Sequence, residues 1–254
     1  MKKTFFTIVA VLVAMSAMPQ TWDVVKKDGT VIRYQASEVS YVTVEEDLPK
    51  YDYVDLGLPS GTLWATCNVG AFSPEDYGDY FAWGETTGYN SGKTDFSWST
   101  YEWSNGSINT MTRYCNNSSY GYNGFTDALT ELELADDAAY VNWGSNWRMP
   151  SIEQFEELIN SSYTTTEWTT QNDVYGRKIT SKKNGKSIFL PAAGYRYGTS
   201  LVNAGSIGYN WARTLASDIP PCATYGLHFH SSSMEKFDNY RFIGHSIRPV
   251  RYTK

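Results

Sequence analysis

Residues 136–159 read DDAAYVNWGSNWRMPSIEQFEELI and carry the clearest signals for regular structure in the chain. Ser151, followed three positions later by Gln154, forms a capping box, in which the two side chains satisfy backbone N–H groups at a helix start. Apolar residues then recur at helical spacing and predict one buried face, made of Ile152, Phe155, Leu158 and Ile159. A shorter helix is predicted between Asp136 and Trp143.

Short strand candidates, separated by glycine and proline, flank the two helices. They comprise residues 51–56, 62–68, 80–83, 177–181, 187–190, 208–215, 224–230 and 246–251. Asn184-Gly185 marks a tight hairpin turn between two of them. Residues 86–123 show neither helical nor strand periodicity, and so long a loop inside a domain is usually functional or packed by its own side chains. The pattern predicts a loop-rich α+β domain with short antiparallel strands and two helices.

Residues 1–20 have the build of a secretion signal peptide. Lys2 and Lys3 precede an apolar run that ends near small residues suited to cleavage, and this run is too short to span a bilayer stably. No cysteine lies near the cleavage region, so a lipid anchor is not indicated. We predict export to the periplasm, the cell surface or the medium, with no integral membrane segment after signal cleavage.

The rest of the chain is predicted to hold two parts. Residues 21–46 have strand formers around Asp28-Gly29, a pair that favours a tight turn, and they predict a small N-terminal β-hairpin module. Residues 47–254 form the predicted main domain. Aromatic residues make up 16% of the chain, which supplies ample rigid apolar surface for a core.

The charge balance argues against one class of partner. The chain has 254 residues and a net charge of −6, whereas nucleic-acid-binding proteins normally present a basic stripe to the phosphates. Lys182, Lys183 and Lys186 cluster, but they flank a tight turn and are typical of a solvated hairpin tip. We therefore expect no nucleic-acid partner.

Five segments occur together and in this order: VDLGLPSGTLWATCNVGA (54–71), YFAWGE (80–85), DDAAYVNWGSNWRMPSIEQFEELI (136–159), GRKITSKKNGKSIFLPAAGYR (176–196) and SIRPV (246–250). Over about residues 51–251 the chain thereby resembles the Fibrobacter succinogenes major paralogous domain family, common in exported proteins of gut bacteria of the Bacteroides kind. The resemblance implies a C-type-lectin-like fold, related to that of formylglycine-generating enzyme, and it implies no particular activity. The stretch KKDGT…SEVSYVTVE (26–45) resembles a short module at the start of many exported proteins of those bacteria.

The histidines offer a weak signal for a metal site. His228 and His230 fall on one side of a predicted strand. His245 could complete three nitrogen ligands for zinc, but exposed histidines on a variable surface give the same pattern. We predict no metal site and no cofactor.

The three cysteines, Cys67, Cys115 and Cys222, lack metal-ligand spacing and are interpreted mainly as small buried apolar residues. Cys222 with His228 or His230 could form a nucleophile and its base. It follows two prolines, however, and has no evident orienting partner. We predict no catalytic residues.

Two stretches, residues 86–123 and 209–245, have the composition of a carbohydrate-binding surface. Both are rich in Trp and Tyr, whose rings stack on the apolar C–H faces of sugars, and in Asn, Asp and Ser, which hydrogen-bond to hydroxyls. A loop-rich domain also needs aromatic residues to pack its own loops. The composition alone leaves both interpretations open.

The last part of the chain alternates framework residues with a second, dissimilar set that we call the codon set. Each member is reachable by replacing adenines in an asparagine codon. The codon set consists of Asn210, Ala212, Arg213, Ser217, Asp218, Ile219, Thr224, Tyr225, His228, His230, Tyr240, Phe242 and His245. This pattern resembles the variable segment of retroelement-diversified proteins, which end in C-type-lectin-like domains. Ordinary surface loops have a similar composition, so the alternative stays open.

From this segment we predict a ligand-binding surface made of Arg213, Tyr225, His228, His230, Tyr240 and Phe242. Strand alternation places Leu227 and Phe229 opposite the two histidines, so a buried apolar pair leaves the imidazoles exposed. Tyr240 and Phe242 flank Arg241, which we expect to turn inward and bond backbone carbonyls.

The predicted function is that of an exported or surface-displayed, adhesin-like binding protein whose partner is an extracellular glycan or protein. A diversified C-terminal surface would suit that role. Two alternatives remain: an enzyme of the formylglycine-generating-like superfold, and a structural component of a cell-surface fibre. Fold alone does not separate the three.

Overall fold

The computed structural model of the protein describes residues 21–25, 30–35 and 51–252. The chain divides into two compact units, residues 1–50 and 51–254. The predicted signal peptide, the Asp28-Gly29 turn and most of the resemblance at 26–45 lie outside the described residues.

The N-terminal unit contains one antiparallel strand pair. Strand β1 (Thr21–Val25) pairs with β2 (Val31–Gln35), with Thr21 opposite Gln35 and Val25 opposite Val31. The two strands are the runs of strand formers on either side of the predicted turn. The antiparallel pairing predicted for this region is therefore present.

The main unit is built from short strands and two helices. In chain order the elements are β3 (Tyr53–Asp55), β4 (Thr62–Ala65), α1 (Ala138–Trp143), α2 (Ile152–Leu158), β5 (Thr164–Gln171), β6 (Val174–Ser181), β7 (Ser187–Pro191), β8 (Tyr195–Tyr197), β9 (Ser200–Val202), β10 (Gly208–Trp211), β11 (Ala223–Phe229), β12 (Met234–Tyr240) and β13 (Val250–Tyr252). Single 3-10 turns lie at Tyr122–Gly124 and Leu134–Asp136. The loop-rich α+β architecture predicted from the sequence is confirmed.

The strands of the main unit form small antiparallel sheets with the orders β13-β4-β3, β5-β6-β7, β10-β11-β12 and β8-β9. In the first of them the last strand pairs with one of the earliest, with Val250 opposite Trp64. The predicted strand at 80–83 is wrong: Phe81 makes only an isolated bridge to His245. Strands β5, β8, β9 and β12 were not predicted.

Both helices start as predicted, because a polar side chain caps each one. The backbone N–H of Ser151 donates to Gln154 Oε1 over 2.8 Å, and the N–H of Gln154 donates to Ser151 Oγ over 3.3 Å, which completes the capping box of α2. Asp137 caps α1 by accepting from the N–H of Ala139 at 2.9 Å. Its carboxylate also accepts from the N–H of Met149, so one buried side chain holds the α1–α2 connection. Three residues of the predicted stripe, Ile152, Phe155 and Leu158, are buried, and Ile159, just past the end of α2, is partly buried against the same cluster.

Arg248, in the SIRPV segment, has a structural role in the core. Its guanidinium is fully buried and donates to Asn68 Oδ1 at 2.9 Å, to the carbonyl of Thr66 at 2.7 Å and to the carbonyl of Phe189 at 2.9 Å. Burial lowers the pKa of this guanidinium to about 10, so it keeps its charge at neutral pH. Arg248 therefore ties the end of the chain to the segments after β4 and in β7.

The long loop at 86–123 packs on the segment before it through its own aromatic residues. The hydroxyl of Tyr101 donates to the carbonyl of Trp83 at 2.8 Å. The indole N–H of Trp103 donates to the carbonyl of Gly84, also at 2.8 Å.

Cys67, Cys115 and Cys222 are buried and form no disulfide with each other. Within the described part of the chain, no helix has the length and apolar character needed to cross a membrane.

Candidate ligand-binding face

The β10-β11-β12 sheet separates a core side from a more open side. Leu227 and Phe229 of β11 are fully buried and join the core cluster that contains α2. His228 lies between them in sequence and on the opposite side of the sheet, where it is partly exposed. The predicted alternation of buried apolar residues with accessible histidines is confirmed here.

The open side carries a group of partly exposed rings that we call the aromatic face, made of Tyr195, Tyr209, His228 and Phe237. Tyr209 is at its centre, with ring centroids 4.9 Å from His228, 5.2 Å from Phe237 and 5.3 Å from Tyr195. Three of these residues come from the three adjacent strands of one sheet, and Tyr195 comes from β8. The face is therefore assembled from residues that are distant in sequence.

Two fully buried rings support the aromatic face from below. His245 stacks on Tyr209 at 4.9 Å with an interplanar angle of 16°, and it meets Trp211 edge to face at 4.2 Å. Asn239 Nδ2 lies 3.3 Å from His245 Nε2, whereas His245 Nδ1 has no hydrogen-bond partner among the described residues. Burial, with a smaller contribution from His228, places the pKa of His245 well below its usual value. His245 is therefore neutral at physiological pH and packs like another aromatic ring.

A polar rim borders the aromatic face at the β11–β12 turn. His230 Nε2 lies 2.8 Å from Ser233 Oγ, and the ring centroids of His228 and His230 are 5.4 Å apart. Glu235 Oε1 lies 3.8 Å from His228 Nδ1. Burial and the neighbouring His230 lower the pKa of His228, and Glu235 opposes them. The rim thus offers imidazole, hydroxyl and carboxylate groups next to the apolar rings.

Of the six predicted site residues, only His228 and His230 belong to this side of the sheet. Tyr225 is three residues from His228 and so lies on the other side, where Lys236 Nζ sits 4.7 Å from its ring centroid and its hydroxyl donates to Asp218. Arg213 is bound within the fold, because its Nη1 donates to the carbonyl of Met149 at 2.9 Å. The six predicted residues therefore do not lie together on one side of this sheet.

The last two predicted residues belong to another group of aromatic side chains. Tyr240 is exposed and contacts Trp98 at 5.9 Å between ring centroids. Phe242 is only 4% exposed and packs on Trp98 at 4.8 Å. Its predicted exposure is wrong because the chain leaves the sheet after Tyr240 and turns into the core, where strand alternation no longer applies. Arg241 does turn inward as predicted, and its Nη1 lies 3.4 Å from the carbonyl of Arg113.

The codon set is likewise divided between the surface and the core. Its buried members are Asn210, Ala212, Thr224, Phe242 and His245. Ser217 and Asp218 are exposed, and Tyr225, His228 and His230 are partly exposed. Residues in the core are constrained by packing, so the set as a whole cannot be a freely variable surface.

The described residues contain no group of three or more His, Cys, Asp or Glu side chains arranged to hold a metal ion. His245 lies beneath the aromatic face, beside Tyr209 and Trp211, rather than beside His230 on the rim. Cys222 is 3% exposed, and burial raises the pKa of its thiol.

The residues missed by sequence reasoning are Tyr195, Tyr209 and Phe237. Phe237 was missed because its strand follows Ser231-Ser232-Ser233 and mixes charged with apolar residues, which resembles a loop. Tyr209 lies between the buried Gly208 and Asn210 in a strand. This alternation with a period of two is the sequence signal that could have placed Tyr209 on the accessible side. Tyr195 gives no local signal for its position beside Tyr209.

Comparison of this chain with protein-family models, with curated proteins and with solved structures gave no match. The evidence for a function therefore comes from the chemistry of the aromatic face.

Proposed function

We propose that this chain is an exported, adhesin-like binding protein whose main unit is a C-type-lectin-like domain of the Fibrobacter succinogenes major paralogous domain family. Its aromatic face binds an extracellular glycan or protein. The observation that carries the proposal is a cluster of partly exposed rings on a buried aromatic support. The family and fold rest on the five segments of resemblance, and the loop-rich α+β architecture agrees with them.

The chemistry of the aromatic face suits recognition. Aromatic side chains bury a large area, and the hydroxyls of Tyr195 and Tyr209 add hydrogen bonds at the ring edge. Tyr209 is fixed between neighbouring rings and stacked on His245, so little side-chain entropy remains to be lost on binding. Rigid aromatic groups of this kind dominate many binding interfaces.

The environment of Cys222 favours a binding function over the alternative that the protein is an enzyme. A cysteine nucleophile needs a lowered pKa and access to substrate. Cys222 has the opposite properties, since it is buried and its pKa is raised. No comparable feature of the described residues favours the alternative that the protein is a structural component of a cell-surface fibre.

A binding screen with matched variants tests the proposed function. The purified protein is applied to a glycan array and to a panel of purified extracellular matrix and mucin proteins. Phe237→Ala should weaken binding to the ligand found by about tenfold, the scale of a well-placed interface aromatic. Phe72→Ala is the control, because Phe72 is 99% exposed on a turn that does not belong to the face. Unchanged binding of every ligand in the screen by a folded Phe237→Ala variant would reject the aromatic face as a site.

A further inference from the structure

The two stretches whose composition suggested sugar binding meet in one groove of the main unit. One wall comes from residues 116–126, at the end of the long loop, and the other from residues 217–221, between β10 and β11. The cavity volume is about 730 Å³, within the range of small-molecule sites. We call it the proline groove, after Pro220 and Pro221 in its wall. It shares no lining residue with the aromatic face.

The lining of the proline groove is polar and carries little charge. Asn116, Asn117 and Ser118 present amide and hydroxyl groups, and Asp218 is the one ionisable carboxylate among the described lining residues. No Lys, Arg or His side chain belongs to that described lining. An anionic ligand would therefore find no counter-charge, whereas a hydroxyl-rich neutral ligand would find donors and acceptors.

Several of these polar groups are unused within the protein. The side chains of Asn116 and Ser118 make no hydrogen bond within the described part of the chain. Asn117 uses its Oδ1 to accept from the N–H of Ser119 at 3.0 Å, which leaves its Nδ2 to donate elsewhere. Asp218 Oδ1 accepts from the Tyr225 hydroxyl, which leaves Oδ2 as a second acceptor.

The walls of the groove are held in place from behind. Asp127 accepts from the backbone N–H of Tyr114 at 2.6 Å and of Cys115 at 3.1 Å, and so fixes the base of the first wall. The carbonyl of Asn117 accepts from the N–H of Tyr120 at 2.9 Å. In the second wall the N–H of Ala223 donates to the carbonyl of Pro220 at 3.0 Å. The unused polar groups therefore stand on a preformed scaffold, which lowers the entropic cost of binding.

Apolar surface lies next to these polar groups. Pro220, Pro221, Ile219 and the ring of Tyr120 line the same groove. A pyranose has the complementary character, with apolar C–H faces and a rim of hydroxyls. We infer that the proline groove is a second binding site, and that its ligand is a neutral oligosaccharide.

The test uses a glycan array that carries neutral oligosaccharides beside their sialylated and sulfated counterparts, followed by calorimetric titration of the strongest neutral glycan. The Asn116→Ala/Ser118→Ala variant should bind that glycan at least about tenfold more weakly, because two ligand contacts are lost while no internal hydrogen bond is broken. The matched control is Ser145→Ala/Asn146→Ala, which changes the same residue types at exposed positions outside the groove.

The outcomes separate this site from the aromatic face. Weak binding by the groove variant, with normal binding by the control, supports the proline groove. Wild-type affinity of the groove variant overturns it, as does a preference for sialylated or sulfated glycans or an array with no neutral glycan bound. If Phe237→Ala alone loses the glycan, the groove is wrong while the proposed function of the aromatic face stands.

Discussion

The two sides of the β10-β11-β12 sheet use aromatic side chains in different ways. On the core side, Phe229 is covered completely and packs with α2 residues such as Phe155. On the open side, Phe237 and Tyr209 keep part of their surface accessible although both make close ring contacts. The same residue types are thus fully buried on one side, whereas on the other they pack against the core and still keep accessible surface. Aromatic content alone therefore cannot locate a site. A site is indicated by the accessible part of each ring and by the polar groups next to it.

The largest expected effect is on the core side. Phe229→Ala should lower the free energy of unfolding by about 3–5 kcal/mol, because a fully buried ring is replaced by a cavity. Urea denaturation followed by fluorescence measures the change. A loss below about 1 kcal/mol would mean that this side is not tightly packed and would remove the contrast between the two sides.

The next prediction concerns the ring beneath the aromatic face. The pKa of His245 lies well below 6.5 because burial disfavours the charged imidazole. As the pH falls below about 6.5, the unfolded chain takes up a proton at His245 and the folded chain does not. The stability contributed by the neutral ring is therefore present above pH 6.5 and is lost at about 1.4 kcal/mol per pH unit below it.

Denaturation curves between pH 7 and 5 test this slope. A His245→Leu variant should lack the part of the slope that comes from His245. Phe229→Ala is the control, since it is less stable but retains all three histidines and should keep the wild-type slope. Equal slopes in His245→Leu and the wild type would contradict the prediction.

A smaller change in stability is expected on the open side. Phe237→Ala removes a ring that is only partly buried, so it should lower the free energy of unfolding by about 1–2 kcal/mol. The same denaturation assay gives the value for direct comparison with Phe229→Ala. A loss as large as that of Phe229→Ala would show that Phe237 serves the core and is not free to contact a ligand.

The smallest effect on stability is expected at a ring that is almost fully exposed. Phe72 is 99% exposed, and Phe72→Ala should change the free energy of unfolding by less than about 0.5 kcal/mol. Thermal denaturation and the ligand screen should both give wild-type values. Loss of ligand binding in Phe72→Ala would indicate that exposure, rather than assembly into the aromatic face, determines binding.

Local sequence patterns predicted those parts of the molecule that depend on local physics. The capping box at Ser151 and the alternation around His228 were correct, because caps and strand periodicity are set by residues a few positions apart. Phe242 was placed wrongly, since its burial depends on where the chain leaves the sheet. The contact between Tyr195 and Tyr209 joins two strands of different sheets, and no local pattern specifies such a pair.

The pairing of β13 with β4 has a consequence for the order of folding. Val250 lies opposite Trp64, so this sheet cannot close until nearly the whole main unit has left the ribosome. Contacts between residues so far apart in sequence form slowly, because the chain must lose much loop-closure entropy before they stabilise it. Arg248 also lies near the end of the main unit, and its buried guanidinium bonds Asn68, Thr66 and Phe189, which are synthesised much earlier. The core of the main unit is therefore completed only after its last strand has been synthesised.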